Sequence, residues 1–314
     1  MEAPSEAVRT VLLIVHTGRH DAVEVARAVA KRLLDSRIAV RLLAEESADL
    51  GIAGAAEVGS DAEAAADCEM AVVIGGDGTI LRGAELTRLA RTPVLGINLG
   101  HVGFLAEAEE DDVDTTVEAI IAGTYDVEER LTVDVVVSSD GKRVADGWAL
   151  NEVSIEKPAR ERMLEVVVEI DNRPLSRWGC DGVVLATPTG STAYAFSAGG
   201  PVVWPEVEAL LLVPISAHAL FARPLVASPN STLAAELLAA GAAGGVLWCD
   251  GRRRIDLPPG ARVEVRRGAL PVRLARLHHA PFTDRLVAKF GLPVSGWRGA
   301  TQRRRESAGT GSDI

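Results

Sequence analysis

Residues 70–79, MAVVIGGDGT, decide the fold of the first half of this chain. The five apolar residues 70–74 have the length and composition of a buried strand. The glycines that follow predict a tight turn, and residues 80–90 have the apolar spacing of a helix. A strand that runs through a glycine-rich turn into a helix is the unit of a parallel sheet covered on both faces.

The same alternation of strand and helix extends to both sides of this stretch. Apolar runs at 11–15, 38–43 and 94–97 predict further buried strands. Residues 20–34 and 111–121 have the apolar spacing of helices. We therefore predict an N-terminal α/β domain built on a parallel sheet.

From about residue 126 the pattern changes to short strands separated by turns. Strand-like runs at 132–137, 164–170 and 183–186 follow one another with few helical patterns between them, which predicts an all-β second domain. Residues 283–290 again have helical spacing. The predicted organisation has four parts, at 1–125 (α/β), 126–281 (all-β), 282–301 (a helical segment able to return to the first domain) and 302–314 (a polar, disordered tail).

Composition excludes several classes of protein. The 314 residues include 33 Lys and Arg against 44 Asp and Glu, a net charge of −11, which disfavours a nucleic-acid partner. The sequence has neither a signal peptide nor an apolar run of the ~20 residues that a membrane helix needs. Three widely spaced cysteines suit a reducing compartment. We expect a cytoplasmic protein with no membrane partner.

The GGDGT turn is the first candidate for chemistry. Gly75, Gly76, Gly78 and Thr79 let the backbone approach a phosphate closely, at the N-terminus of a helix that favours anions. Asp77 would repel a phosphate, so it suits a sugar hydroxyl or a magnesium ion better. A tight turn in which Asp77 merely caps the helix is equally compatible with the residues. The turn is not a Walker A loop, since no GxxxxGK[ST] occurs in the chain.

Three segments of the second half are further candidates. The pair Asn151-Glu152 lies near a predicted strand start, where it could also simply satisfy backbone groups. The segment 187–194, TPTGSTAY, has four hydroxyl residues and Tyr194, which suit phosphate, ribose or an adenine ring better than a plain turn does. Asp181, in Cys180-Asp-Gly182, either faces the same cleft or belongs to a surface turn.

Taken together and in this order, these segments closely resemble the NAD kinase family. The resemblance rests on GGDGT at 75–79, Asn151-Glu152, Cys180-Asp-Gly182 and TPTGSTAYAFSAGGP at 187–201. It also includes Asn98-Leu-Gly, Pro214-Ile-Ser and Arg223-Pro224, and so spans nearly the whole chain. The GGDG loop alone is weak, because phosphofructokinases and diacylglycerol-type lipid kinases also carry it.

The resemblance implies a Rossmann-like N-terminal domain, a C-terminal β-sandwich and NAD bound between them. It implies phosphoryl transfer to the adenosine 2′-hydroxyl of NAD, which yields NADP, with ATP or inorganic polyphosphate as the donor. It further implies a divalent cation, Mg²⁺, whose ligands the sequence does not identify, and a homodimer or homotetramer.

The resemblance also implies roles for single residues. Asp77 is expected to be the general base, Gly78 to lie at the ribose and Arg82 to reach phosphate oxygens. Asn151 and Glu152 are expected to hold ribose and adenine groups, and Asp181 the nicotinamide side. The other expected substrate contacts are Arg162, Thr192, Ala193, Tyr194, Ala195, Phe196 and Ser197. Arg252 is left outside this expected site, because some relatives have an amide side chain there.

Two alternatives to this activity stay open at the level of sequence. A lipid or sugar kinase could use the same GGDG loop, although the acidic chain shows no basic membrane face. A dinucleotide sensor without catalysis would not need both the loop and Asp77. The sequence does not distinguish ATP from polyphosphate as donor, nor does it fix the acceptance of NADH or the oligomer size.

Overall fold

A computed structural model describes residues 9–100, 103–109, 112–159, 163–239, 244–277 and 281–294. Arg162 and the expected tail at 302–314 lie outside the described residues, as does the stretch 295–301 of the expected returning segment.

The predicted parallel sheet forms the first domain. Its strands are β1 (Thr10–Val15), β2 (Ala39–Leu43), β3 (Ala56–Val58), β4 (Met70–Ile74), β5 (Val94–Asn98), β6 (Ala108–Glu109), β7 (Asp126–Arg130) and β20 (Val272–Arg276). They lie in the order β3-β2-β1-β4-β5-β20-β7, with β6 beside β5. All neighbours are parallel except β7, which runs antiparallel to β20.

Helices cover this sheet because each has one apolar stripe. They are α1 (His20–Asp35), α2 (Ala44–Leu50), α3 (Asp77–Thr87) and α4 (Val113–Ala122). α1 buries Ala22, Ala26, Val29 and Leu33 at helical spacing. These residues pack in one core with the side chains on one face of the central strands. α3 packs Ile80, Leu81 and Ala84 into a second core, on the sheet's other face. β1 and β4 are fully or almost fully buried, as expected of a strand covered on both faces.

The second domain is a sandwich of two six-stranded antiparallel sheets. One has the order β15-β14-β13-β10-β17-β18 and the other β12-β11-β16-β19-β8-β9. The strands are β8 (Val133–Ser139), β9 (Lys142–Ala149), β10 (Glu152–Glu156), β11 (Leu164–Ile170), β12 (Arg173–Cys180), β13 (Gly182–Ala186), β14 (Leu210–Ile215), β15 (Leu225–Ala227), β16 (Leu233–Leu237), β17 (Gly245–Cys249), β18 (Arg253–Leu257) and β19 (Arg262–Arg267). Alternating apolar residues of both sheets meet in one core around the fully buried Trp178.

Three short elements complete the chain. A 3₁₀ turn at Thr189–Thr192 leads into α5 (Tyr194–Ser197), and α6 (Phe282–Phe290) follows the last strand. α6 contacts the first domain, because Arg285 donates to the carbonyl of Ala106 at 2.6 Å and to Glu107 at 2.8 Å. The helical segment thus returns to the first domain.

Strand pairing crosses the predicted limits at 125 and 281. β7 and β20 both lie between these limits, yet they extend the sheet of the first domain. The chain therefore leaves that sheet through β7, builds the sandwich and re-enters through β20. The two domains are joined by two adjacent strands.

Side chains at the C-terminal end of α3, among them that of the C-cap residue Arg88, connect the two domains. The Arg88 guanidinium donates to Asp134 at 2.9 Å and lies 4.4 Å from the ring centre of Trp148. Arg253 covers the same ring at 4.5 Å and pairs with Glu85 of α3 at 3.1 Å. The helix that begins at the GGDGT turn is thus bound to the sandwich through its C-terminal half.

Candidate active site

The GGDGT turn leads from the carboxyl end of β4 into α3, where parallel sheets bind ligands. Gly75 has a φ of +154°, and a Cβ there would collide with the side chain of Thr79. Only glycine fits this position, because a side chain would meet both strain and steric overlap. Gly76 is the N-cap residue of α3.

Asp77 is the first residue of α3, and its carboxylate turns to a neighbouring loop rather than back to its own helix. The backbone N–H groups of Phe104 and Leu105 each donate to it at 3.3 Å. A Cβ on Gly103 would overlap this carboxylate. No side-chain cap bond is found at the start of α3. The loop at 103–105 therefore orients Asp77, and the simple capping role is not what the geometry shows.

A cavity of about 540 Å³ opens beside the GGDGT turn. Its lining residues are Val15, His16, Arg19, Gly76, Gly78, Thr79, Arg82 and Arg252. Three of these side chains are guanidinium groups, and they meet the N-terminus of α3. Positive charge and free backbone N–H groups at a helix N-terminus together suit phosphate oxygens.

Arg82 lies on this cavity, as expected, but it is held by two carboxylates of α2. It pairs with Glu45 and, at 2.5 Å, with Glu46. Burial raises the pKa of Glu46, whose other oxygen accepts the N–H of Val15 at 2.9 Å. The contacts fix the Arg82 guanidinium at the cavity wall.

The second group of candidates meets on the sandwich domain. Asn151 and Glu152 lie where β9 passes into β10, and both are buried. The Asp250 carboxylate orients this junction by accepting the N–H groups of Leu150 at 3.0 Å and Asn151 at 2.7 Å. Asp250 is the second carboxylate of this region, beside Glu152, and the sequence analysis missed it. The signal was present, since Cys249-Asp-Gly251 repeats the pattern Cys180-Asp-Gly182.

The segment TPTGSTAY folds directly onto this junction. Thr187 donates two hydrogen bonds here, from its N–H to the carbonyl of Asn151 at 2.9 Å and from its hydroxyl to the carbonyl of Leu150 at 2.6 Å. A Cβ on Gly190 would overlap the backbone of Asn151. The structure thus brings the two predicted segments together, with the partly exposed ring of Tyr194 at their edge.

Glu152 is the most perturbed acid of this group. Burial, and then the nearby Asp250 carboxylate, raise the pKa of Glu152 to about 8. The N–H of Tyr194 bonds to it and acts in the opposite direction. Among the described residues, its Oε2 atom is buried without a hydrogen-bond partner. A buried carboxylate oxygen without a donor fits a ligand that supplies one.

Asp181 lies apart from Asn151 and Glu152. It precedes β13, whereas Thr187 follows the same strand at its other end. With a rise of about 3.3 Å per residue, the six steps from Asp181 to Thr187 span roughly 20 Å along the strand. Lys157 pairs with Asp181 at 2.5 Å and holds the pKa of that carboxyl below its usual range. An extended ligand would be needed to touch both.

Aromatic side chains connect Asp77 with the substrate segment. The ring of Phe104 lies 5.8 Å from that of Phe290 in α6. Phe290 stacks on Phe196 of α5 at 4.6 Å. Because the Phe104 N–H bonds to Asp77, this chain of contacts brings the catalytic candidate of the first domain to the expected adenine-binding segment of the second.

The described part of the chain contains no pre-formed cluster of metal ligands. The described residues include no group of three or more His, Cys, Asp or Glu side chains able to hold a metal ion. Mg²⁺ usually keeps several waters and binds through one or two carboxylates together with substrate phosphates. The GGDGT turn supplies one carboxylate of this kind, that of Asp77.

Comparison with known families now decides the identity of the fold. The family model described as the ATP-NAD kinase N-terminal domain matches residues 11–125, and the one described as the ATP-NAD kinase C-terminal domain matches residues 150–277. The chain belongs to the ATP-NAD kinase family. It is an enzyme, a phosphotransferase with NAD kinase activity, and the activity predicted from the sequence is confirmed.

Relatives support this assignment over most of the chain. NAD kinase 2 of Streptomyces coelicolor is 63% identical over 295 residues, which cover 93% of this chain and 98% of that protein. NAD kinase of Mycobacterium leprae is 56% identical over 305 residues, or 93% of this chain and 98% of that protein. These actinobacterial relatives agree with the resemblance and not with a lipid or sugar kinase.

Solved structures confirm the α/β-plus-sandwich fold of this NAD kinase family member. Yeast NADH kinase complexed with NADH superposes with a TM-score of 0.83 at 22% identity, over 93% of this chain and 90% of that one. An NAD kinase from Archaeoglobus fulgidus in complex with ATP gives a TM-score of 0.66 at 24% identity, over 90% and 97%. No helix in the described part of the chain is long and apolar enough to cross a membrane.

Proposed function

We propose that this chain transfers the terminal phosphoryl group of ATP to the adenosine 2′-hydroxyl of NAD, at a site shared by its two domains. The GGDGT side of the first domain holds the donor phosphates and supplies Asp77. The sandwich supplies the acceptor contacts. The observation that carries this division is that seven of the eight residues lining the guanidinium-lined cavity belong to the first domain, whereas the Asn151–Glu152–Tyr194 cluster belongs to the sandwich.

The acceptor site is proposed around Glu152 and Tyr194. The unpartnered Oε2 of Glu152 suits a donor from NAD, either a ribose hydroxyl or the adenine amino group. Tyr194 exposes its ring beside this oxygen and can stack on adenine. Asn151 and residues 192–197, which include the short helix α5, complete the adenosine end, and Asp181 meets the nicotinamide end of the extended molecule.

Asp77 is proposed to orient the 2′-hydroxyl and to take its proton. Phosphoryl transfer passes through a loose transition state, so catalysis depends on positioning and charge stabilisation more than on early deprotonation. The amides of Phe104 and Leu105 hold the Asp77 carboxylate for that task. A proton acceptor placed in this way typically contributes ~10²–10⁴-fold to the rate.

Magnesium bound with the donor would neutralise the charge of its phosphates. Gly76, Gly78 and Thr79 are proposed to face those phosphates through the backbone, and the guanidinium groups of the cavity to hold their outer oxygens. Inorganic polyphosphate offers the same phosphate chain, and we treat it as a second donor of this site.

We also propose a homo-oligomer located in the cytoplasm. The sandwich exposes Leu220 and Phe221, next to the short edge strand β15, and contact between sandwich domains would cover these side chains. The three cysteines are free and buried, which suits a reducing compartment.

Acceptor analogues test the proposed reaction. NAD should yield NADP, whereas NAD that lacks the adenosine 2′-hydroxyl should yield no phosphorylated product. The 3′-deoxy analogue is the matched control, since it keeps the reacting group. Adenosine should be a poor acceptor, because it lacks the remote contacts that help to orient the reacting hydroxyl. A kcat/KM for adenosine equal to that for NAD, or phosphorylation of the 2′-deoxy analogue, would overturn the proposal.

A further inference from the structure

Arg252 reaches the donor side of the site from the sandwich domain. It lies in the turn between β17 and β18, far along the chain from the GGDGT turn, yet it lines the same cavity. Its Nε donates to Glu85 of α3 at 3.1 Å. Within the described part of the chain, no hydrogen bond engages its two terminal nitrogens. The charged end of this fork is therefore available to a ligand.

Cationic side chains line the cavity, but the carboxylates that pair with them do not. The cations are those of Arg19, Arg82 and Arg252. Those carboxylates are Asp21, Glu45, Glu46 and Glu85. Each arginine is thus held by a carboxylate that does not itself line the cavity. Such pre-organisation lowers the entropic cost of binding an anion.

Arg19 is held in an equivalent way on the first domain. It pairs with Asp21 and donates to the carbonyl of Leu99 at 2.6 Å. Two guanidinium groups from different domains therefore flank the helix N-terminus at Gly76 and Gly78. A chain of two or three linked phosphates has the charge and the number of oxygens to meet all of these donors together.

We propose that Arg252 is a donor-binding residue, which clamps the terminal phosphates of the phosphoryl donor against the GGDGT turn from the second domain, opposite Arg19. This inference rests on the proposed function and adds a residue and a domain to its donor site. The planar fork of arginine can bond a phosphate bidentately, so a bound donor would add a second link from Arg252 to the first domain, beside its bond to Glu85.

Binding of AMP-PNP with Mg²⁺, a non-hydrolysable donor analogue, tests the proposal by calorimetry. Arg252→Ala should weaken this binding at least ~10-fold, the loss expected for hydrogen bonds to a charged group. Arg252→Gln keeps a polar side chain and is expected to lose as much. NAD binding to both variants should stay within about twofold, because NAD uses the other cluster. Melting temperatures show whether each variant is folded.

Arg254→Ala is the matched control. It removes an arginine two residues away, which pairs with Asp256 at 2.7 Å on the surface and does not line the cavity. Its AMP-PNP affinity should equal that of the wild type. AMP-PNP binding of Arg252→Ala within about twofold of this control would overturn the proposal.

Different results would overturn the proposed reaction and the proposed role of Arg252. Wild-type protein that binds AMP-PNP through Arg252 but forms no NADP would leave the donor site standing and remove the proposed reaction. Wild-type protein that forms NADP while folded Arg252→Ala keeps its affinity for AMP-PNP would leave the reaction standing and remove Arg252 from the donor site.

Discussion

At the scale of single residues, Asp250 and Glu152, the two acids at the proposed acceptor site, have opposite surroundings. Asp250 accepts two backbone N–H groups and pairs with Arg253 at 2.8 Å. Glu152 has one oxygen without a donor, and burial together with Asp250 raises its pKa to about 8. Glu152 is thus protonated in the free protein at neutral pH, whereas an unfolded glutamate is ionised.

This difference predicts a pH dependence of stability. Because the folded pKa lies above the unfolded value of 4.5, the folded state binds more protons between pH 5 and 8. The free energy of unfolding should therefore fall as the pH rises through this window, by up to ~1.4 kcal/mol per pH unit from this group. Glu152→Gln should remove that slope. Urea denaturation of both proteins at pH 5, 6.5 and 8 measures it.

The test depends on the direction in which the stability of Glu152→Gln changes, relative to the wild type, as the pH rises. Relative to the wild type, Glu152→Gln should gain stability as the pH rises, and the gain should exceed ~1 kcal/mol at pH 8. Parallel pH profiles for the two proteins would show that Glu152 is ionised in the fold.

Sequence reasoning identified the residues that lie in local motifs. The GGDGT turn and Asn151-Glu152 could be found because neighbouring residues there carry the pattern. Arg252 could not be found in this way, since its place beside the GGDGT turn follows from strand pairing that no local window contains. The repeat of the Cys-Asp-Gly pattern was the one available signal for Asp250.

At the scale of elements, α6 controls the loop that orients Asp77. Glu107 is nearly inaccessible, with 1% of its side chain exposed, and it accepts bonds from both Arg285 and Arg276 at 2.8 Å. Arg285 also donates to the carbonyls of Phe104 and Ala106. Since the same loop donates its N–H groups to Asp77, Arg285 helps to position the proposed proton acceptor through the loop.

Loss of the Arg285 contacts should affect kcat more than the KM for NAD. Arg285→Ala is expected to lower kcat by ~10-fold or more, because small displacements of a reacting group are costly, and to change the NAD KM by less than ~3-fold. Arg285→Lys should recover part of the rate, since a point charge can still pair with Glu107. Steady-state kinetics on NAD measure both parameters.

Lys289→Ala provides the control on the same helix. Lys289 is an exposed cation in the last turn of α6, so its removal should leave kcat at the wild-type value. Equal effects of the two alanine variants would reduce α6 to a general stabilising element. Helical spacing predicted this helix from sequence, but its position over residues 104–107 depends on contacts across 180 positions of the chain.

At the scale of the whole molecule, the proposed reaction assigns the donor contacts mainly to the first domain and the acceptor contacts to the sandwich. The predicted fold class is confirmed, whereas the roles of β7 and β20 could not be read from local patterns. These strands are as short as those of the sandwich, and only pairing with β5 and with each other assigns them to the first sheet. The exposed β3 was also missed, because its three residues have no apolar run.

The division of labour makes Asp77→Asn the most direct test. Asparagine keeps the shape of the side chain and removes the proton acceptor. Because the proposed NAD contacts lie on the sandwich, the variant should fold and bind NAD with an affinity within about twofold of the wild type, yet lose at least ~10²-fold in kcat. Asp114→Asn, which changes an exposed carboxylate in the first turn of α4, controls for effects on a helix terminus.

Thermal melting, NAD titration and steady-state kinetics on these two variants give the answer. We expect wild-type kcat in Asp114→Asn, and normal NAD binding with a loss of at least ~10²-fold in turnover in Asp77→Asn. A helix-capping role would give the opposite pattern, a stability loss of ~1 kcal/mol or less with turnover intact. Wild-type kcat in Asp77→Asn would contradict the placement of the reaction at this residue.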